Sequence, residues 1–381
     1  MLGQLLLMIA EPIRSNIRAG KSPLDLRCDL DIPRPYVLFV GDAVNPLDAK
    51  TAYGLLEWRR EWCIGQWRLP GAAIDLQLPE FDVGAARAAG VRTLVIGVAP
   101  AGGHIPDAWL PALEQAAIGG LNLAAGLHDR LQSIPRLIAA AAEGGSRLID
   151  ARQPPSSFRL PIGTGEPRTG RRVLTVGTDC AIGKKYTALA LERELRARGL
   201  SCDFRATGQT GVLISGGGLA IDAVLADFVS GAVETLTPSA APAHWDVIEG
   251  QGSLYHPAYA GVSLALLHGA AADAIVVCHD TRRKSIDGYS AYPMPDLREC
   301  ISLNLQLGAL TQRHIECVGV SLNTQGLSAH ERERTCAEIE ALTGLPTSDP
   351  MAMGCARITD RLLTRFPSTG SGEPLSGQPG P

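Results

Sequence analysis

Short apolar runs recur along the chain and alternate with longer stretches of helical periodicity. Tyr36-Val-Leu-Phe-Val40, Thr93-Leu-Val-Ile-Gly97 and Arg147-Leu-Ile-Asp150 have the length and apolar content of buried strands. Between them, 50–60, 109–118 and 127–143 read as helices. The second half repeats the plan. Val173-Leu-Thr-Val176, Cys202–Ala206, Trp245–Ile248, Ala274–Cys278 and Cys317–Ser321 read as strands, with helices predicted over 188–198, 296–308 and 329–343. Strands alternating with helices predict an α/β protein with parallel, doubly wound sheets. Residues 153–172 break the pattern with Pro, Gly and Ser and mark a linker between two domains. The domains are then 1–152 and 173–366. The tail, 367–381, has the composition of disordered chain.

Composition narrows the function classes. The chain has 381 residues, 45% hydrophobic and 19% charged, as in a soluble globular protein. A net charge of -4, without a Lys/Arg run interleaved with aromatics, gives no reason to expect nucleic acid as partner. Nine scattered cysteines form no Cys-x-x-Cys pair, so no metal framework is indicated, and reduced thiols in the cytoplasm fit best. No stretch reaches membrane-spanning length. The apolar opening MLGQLLLMIAEP lacks a basic leader region and reads as a packing helix, a candidate contact in a homo-oligomer.

The densest chemistry follows the run at Val173–Val176. Gly177-Thr178-Asp179-Cys180-Ala-Ile-Gly183-Lys184-Lys185-Tyr186-Thr187 places a glycine loop and a lysine between a strand and a helix. Amides of such a loop point at an anion, and the lysine adds a full charge. Five residues separate the glycines, where the usual P-loop has four. Lys185 occupies the position that ordinarily carries a Mg²⁺-binding hydroxyl, which favours anion anchoring over metal, and no metal site is expected. The hydroxyl is delayed to Thr187.

Other strand ends carry polar groups, and in an open parallel sheet these gather at the ligand crevice. After Ala206 come Thr207, Gln209, Thr210 and Gly211. After Ile248 comes Glu249, where P-loop proteins keep an acid beside the phosphates, so it is a candidate base or indirect metal ligand. His256 follows in the same segment and is more simply read as a structural residue. After Cys278 come His279 and Asp280, acid/base candidates, with Arg282, Arg283 and Lys284 suited to carboxylate or phosphate. The segment 287–295, rich in Tyr and Pro, is a candidate pocket wall. Asn323 ends the last long strand.

The Thr-Asp opening and long spacing of the glycine loop resemble dethiobiotin synthetase and its relatives. Asn323 then matches the residue facing the nucleotide base, and Gly344-Leu-Pro resembles a late turn of that group. The whole chain resembles a two-domain P-loop family whose characterised branch is D-glutamate N-acetyltransferase. That resemblance rests on Lys50-Thr-Ala-x-Gly54, Ala99-Pro-Ala-Gly-Gly103, Gly126-Leu-His128, Gly177-Thr-Asp-Cys180 with Gly183-Lys184, Ala206–Gly211, Glu249-Gly-Gln-Gly252 and His279 with its basic neighbours. It implies a Rossmann-like domain before a P-loop NTPase-like domain, acetyl-CoA as donor and an acidic amino acid as acceptor. In that frame the loop with Lys184 and Lys185 takes the donor's phosphates, and Glu249 or His279 takes the amine proton. Arg282 and Arg283 take substrate carboxylates, with Lys50, Thr207, Gln209 and Thr210 as further substrate contacts. Two alternatives are an ATP- and Mg²⁺-dependent carboxylate-activating synthetase and a nucleotide-sensing module without turnover.

Overall fold

The structure, a computed structural model, describes residues 30–46, 48–153 and 160–367. The apolar segment at residues 1–12, part of the linker and all but the start of the tail lie outside them. Contacts divide the chain into two units. The first comprises residues up to 158 together with Val212–Leu219, and the second comprises 159–211 and everything from Ala220 onward. Val212–Leu219 belongs with the first unit in part because Leu30 N donates to Gly216 O.

In the first unit, β1 (Tyr36–Gly41), β2 (Cys63–Arg68), β3 (Thr93–Ile96), β4 (Asn122–Ala125) and β5 (Leu148–Asp150) form one parallel sheet in the order β2-β1-β3-β4-β5. Helices α1 (Lys50–Arg59), α2 (Val83–Ala88), α3 (Leu110–Ile118) and α4 (Pro135–Gly144) connect it. The sheet is Rossmann-like, as expected, with β2 and β4 added. Neither has the β-branched run that marks a strand: β2 reads CIGQWR and β4 reads NLAA. The helix expected over 127–143 starts only at Pro135, after a separate 3-10 turn at Leu131–Ser133. Proline has no amide to donate inside a helix and fits its first turn, so it begins the helix and cannot be spanned by it.

The second unit holds a parallel sheet in the order β13-β12-β9-β6-β8-β7. Its strands are β6 (Arg171–Gly177), β7 (Cys202–Arg205), β8 (Trp245–Ile248), β9 (Ala274–Asp280), β12 (Glu316–Asn323) and β13 (Thr347–Ser348). Helices α5 (Lys184–Ala197), α6 (Gln209–Ser215, of which Val212 onward belongs to the first unit), α7 (Val229–Leu236), α8 (Ala260–Ala270), α9 (Leu297–Gly308), α10 (Ala329–Thr343) and α11 (Ala356–Arg365) run between and after them. A two-stranded hairpin, β10 (Ser285–Ile286) with β11 (Tyr289–Pro293), follows β9 directly. The segment expected as a pocket wall folds into this hairpin, whose residues 285–290 line an open cavity of about 350 Å³ with Arg283 and Lys284, and every residue of β11 is exposed.

Leu174, Val176, Ile248, Ile275, Val277, Val320 and Leu322 build the core of this sheet with Leu266, Leu267, Leu297 and Cys300 from the helices. Each fully buried aliphatic side chain contributes about 1.5–3 kcal/mol. The strand order reverses at β6. Chain leaving β6 goes to β7 and β8 on one side and to β9 and β12 on the other. The crevice beyond the carboxyl ends of β6, β8 and β9 is thus the ligand position for this topology.

Candidate active site

The loop between β6 and α5 is built by backbone conformations that few residues allow. Gly183 has φ 112° as it enters α5, and Ala181 has φ 50° at the crest. The helix begins at Lys184, earlier than expected, so both lysines sit in its first turn where amides lack intrahelical partners. Lys184 is buried, and its Nζ donates to Asp179 O at 2.5 Å. Burial pushes the pKa of this ammonium down, against the pull of Cys180 and Asp179. A buried cation beside a glycine loop that opens a helix is chemistry suited to a phosphate.

Asp179 keeps that loop in shape. It is fully buried and accepts from Cys180 N (2.6 Å), Arg283 Nη1 (2.6 Å) and Asp287 N (2.9 Å). Arg283 also donates to Cys180 O at 2.9 Å. Arg282 donates to Asp280 through Nε (3.0 Å) and Nη2 (2.7 Å). The two arginines expected to meet substrate carboxylates are therefore each committed to an aspartate of the protein. Arg283 clamps the loop. Arg282 braces Asp280, and its side chain remains 45% exposed.

Asp280 also accepts from Asn323 Nδ2 at 3.1 Å, so Asn323 is drawn to the end of β9. Burial raises the pKa of Asp280, but Arg282 and Arg283 more than offset this and hold it below the usual carboxylate range. It is a poor proton shuttle near neutral pH. His279 stands beside the loop because β9 pairs with β6, with Cys278 opposite Gly177. Its Nδ1 lies 3.0 Å from Thr178 Oγ1, and burial depresses its pKa despite the nearby Asp280 charge. Thr187 turns toward the sheet, where its Oγ1 lies 2.7 Å from Ser321 Oγ and donates to Gly183 O at 3.1 Å. Its hydroxyl is spent in the core.

On the other side of β6, Glu249 is 3% exposed. Its Oε2 accepts from Thr207 N (3.0 Å) and Gly208 N (3.1 Å), and its carbonyl accepts from Thr207 Oγ1 at 2.6 Å. Gly211 fits because a Cβ there would lie 2.2 Å from Oε2. Gly250 lies so close to β6 that a Cβ would fall 1.7 Å from Thr175 O. Burial pushes Glu249 up to about 7, while the Lys185 charge and the two amides pull it down. An acid with that value is matched to proton transfer near neutral pH.

Thr207 and Thr210 are buried, and Gln209 opens α6. The segment after β7 thus contains a helix, and Thr207 serves Glu249. Lys185 is near enough to act on Glu249 and lies 5.1 Å over the Tyr186 ring. Lys50 is the first residue of α1, in the other unit, and is exposed.

Two groups of potential metal ligands occur among the described residues: Asp179, Cys180 and His256, and Asp203, His244 and Asp246. Both oxygens of Asp179 are already engaged by Cys180, Arg283 and Asp287. Arg205 donates to Asp246 at 2.6 Å and lies 3.1 Å from Asp203, supplying the cation there. His256, weighed from sequence as structural, reaches the glycine loop. The rings of Tyr259 and Tyr289 pack against His256.

The fold and this constellation define a two-domain α/β protein whose second domain is of P-loop type. Residues 161–359 match a family model described as a domain of unknown function (DUF1611_C), P-loop domain. Residues 71–154 match its Rossmann-like partner, DUF1611_N. The chain belongs to the DUF1611 family. It is 46% identical over 331 residues to a D-glutamate N-acetyltransferase of Tritonibacter scottomollicae, covering 87% of this chain and 99% of the relative. It is 42% identical over 333 residues to a D-glutamate N-acetyltransferase of a Pseudoalteromonas species, covering 87% and 100%. A DUF1611 family protein from Anabaena variabilis, solved by crystallography, superposes with TM-score 0.80 at 32% identity, covering 87% of this chain and all of that one.

Proposed function

We propose that the protein transfers an acetyl group from acetyl-CoA to the amine of D-glutamate. The observation that carries this reading is the match, over nearly the full length of both relatives, to proteins named for that activity. The site supplies suitable chemistry. Coenzyme A bears phosphates, and the loop of Gly177–Lys185 with buried Lys184 suits them without a metal-binding hydroxyl at position 185. Glu249, poised at about 7, takes a proton from the attacking ammonium. The freed amine nitrogen bonds to the acetyl carbon, the carbon–sulfur bond breaks, and the departing thiolate takes up the second proton that the nitrogen loses as the amide forms. The exposed edge of Arg282 meets a substrate carboxylate. The described cysteines are free thiols and agree with a reducing compartment, the cytoplasm. Among the described residues no helix is long and apolar enough to cross a membrane.

Incubation with acetyl-CoA and D-glutamate should release free thiol and yield N-acetylated product without added Mg²⁺. No thiol release with any acidic amino acid would reject the reading. The runner-up, an ATP-dependent synthetase, is favoured by the placement of Glu249 beside the loop and predicts Mg²⁺-dependent phosphate release instead.

A further inference from the structure

We infer that His256 is a catalytic hydrogen-bond donor, its Nε2–H directed at the acetyl carbonyl oxygen of the thioester as negative charge develops there. The inference rests on the acetyltransferase reading and adds to it a residue outside the acid/base set.

Ala258 N–H donates to His256 Nδ1 at 3.1 Å. A neutral imidazole whose Nδ1 accepts must carry its proton on Nε2. The ring is therefore set as a donor at Nε2 and is unsuited to act as a base there. Its orientation is fixed on several sides. The residue is 2% exposed, stacks on Tyr259 at 4.4 Å between centroids and meets the edge of Tyr289 at 5.2 Å. His256 N donates to Ser253 O at 3.1 Å, and its own carbonyl accepts from Ala260 N at 3.1 Å, which ties it to the start of α8.

Its direction comes from the loop. One ring nitrogen, one carboxylate oxygen of Asp179 and Cys180 Sγ lie within 4.8 Å of one another. His256 thus faces the opening residues of the phosphate loop, while buried Lys184 lies under the helix end. For this role the reacting end of the acetyl donor must lie beside Cys180 when its phosphates occupy the helix end. A preset neutral donor at that point binds a developing oxyanion more strongly than the resting carbonyl, which is how such groups lower a barrier. The alternative use of these three residues as a metal site fails on donors, because Asp179 and Nδ1 are already taken.

The test compares H256L with H256Q. Gln retains an N–H at comparable reach, and Leu retains bulk without a donor. Removing one oxyanion donor lowers kcat by about 10²–10³-fold. H256L is expected to lose that much kcat with KM for acetyl-CoA little changed, and H256Q is expected to recover at least about tenfold of it. A rise in KM at unchanged kcat, or equal losses in both variants, would overturn the assignment. A measurement on the wild-type chain protects the test against misfolded variants. Nitrogen-15 spectra of histidine-labelled protein should show His256 protonated at Nε2, and an Nδ1–H tautomer would overturn the inference regardless of the variants. Absence of thiol release from the wild type would instead count against the acetyltransferase reading, leaving the tautomer result standing.

Discussion

Arg283 reaches back from the end of β9 to hold Asp179 in the phosphate loop at 2.6 Å. The carboxylate is fully buried, and its other oxygen is bound by a backbone amide of the same loop. Removing one member of a buried pair leaves an uncompensated charge and typically costs about 3–5 kcal/mol. R283A is therefore expected to lower the melting temperature and raise KM for acetyl-CoA at least about tenfold. R282A, whose partner Asp280 also has Asn323, is expected to leave donor KM within about threefold. Steady-state kinetics and thermal melts of the two variants decide this. Equal donor KM in both would contradict the clamp.

Lys184 is the buried cation beside the glycine loop, and its Nζ sits on Asp179 O. K184M keeps the apolar stem and removes the charge, so affinity for coenzyme A measured by calorimetry should fall at least about tenfold, the value of one charged hydrogen bond. Unchanged affinity would place the phosphates elsewhere.

Glu249 makes stability depend on pH in an unusual direction for a carboxyl group. Its pKa is raised by burial from 4.5 to about 7, so folding favours the protonated form. That contribution is fully present below about pH 4.5 and is lost as pH rises through about 7. E249Q mimics the neutral acid. Its melting temperature relative to wild type should therefore climb between pH 5.5 and 8.5. A difference that does not vary with pH would contradict burial as the cause.

Gly211 is a spatial requirement of the same carboxylate, since a methyl group there would lie 2.2 Å from Glu249 Oε2. G211A is expected to displace the carboxylate and cut kcat/KM by about 10²-fold, the scale of a misplaced acid/base group. Retained activity would show that Glu249 need not sit where it does.

Much of this was legible in the chain. The long apolar runs at β1, β6 and β9 announced the two parallel sheets. The glycine loop and the acid at Glu249 could be placed because strand ends collect in this topology. What escaped were elements made by context. Ala-rich β4 and Gly-containing β2 are strands only because neighbours pair with them. The hairpin after β9 needs Asp287 N bound to Asp179, a contact more than a hundred residues apart in sequence. Side-chain commitments were equally hidden. Sequence supplies the charges of Arg282 and Arg283, but only the fold shows that Asp280 and Asp179 already hold them. The setting of His256 was hidden for the same reason, because it depends on Ala258 and Tyr259.

The central claim is that Glu249 takes the proton of an amine attacking a donor held in the loop after β6. It is tested most directly by kcat for thiol release from acetyl-CoA with saturating D-glutamate, measured from pH 5.5 to 9 in wild type and E249Q. A required base gives wild type a kcat that rises about tenfold per pH unit and levels off above about 7, while E249Q falls by about 10²-fold or more and lacks that limb. An E249Q enzyme that keeps both the wild-type rate and its pH limb would contradict the account.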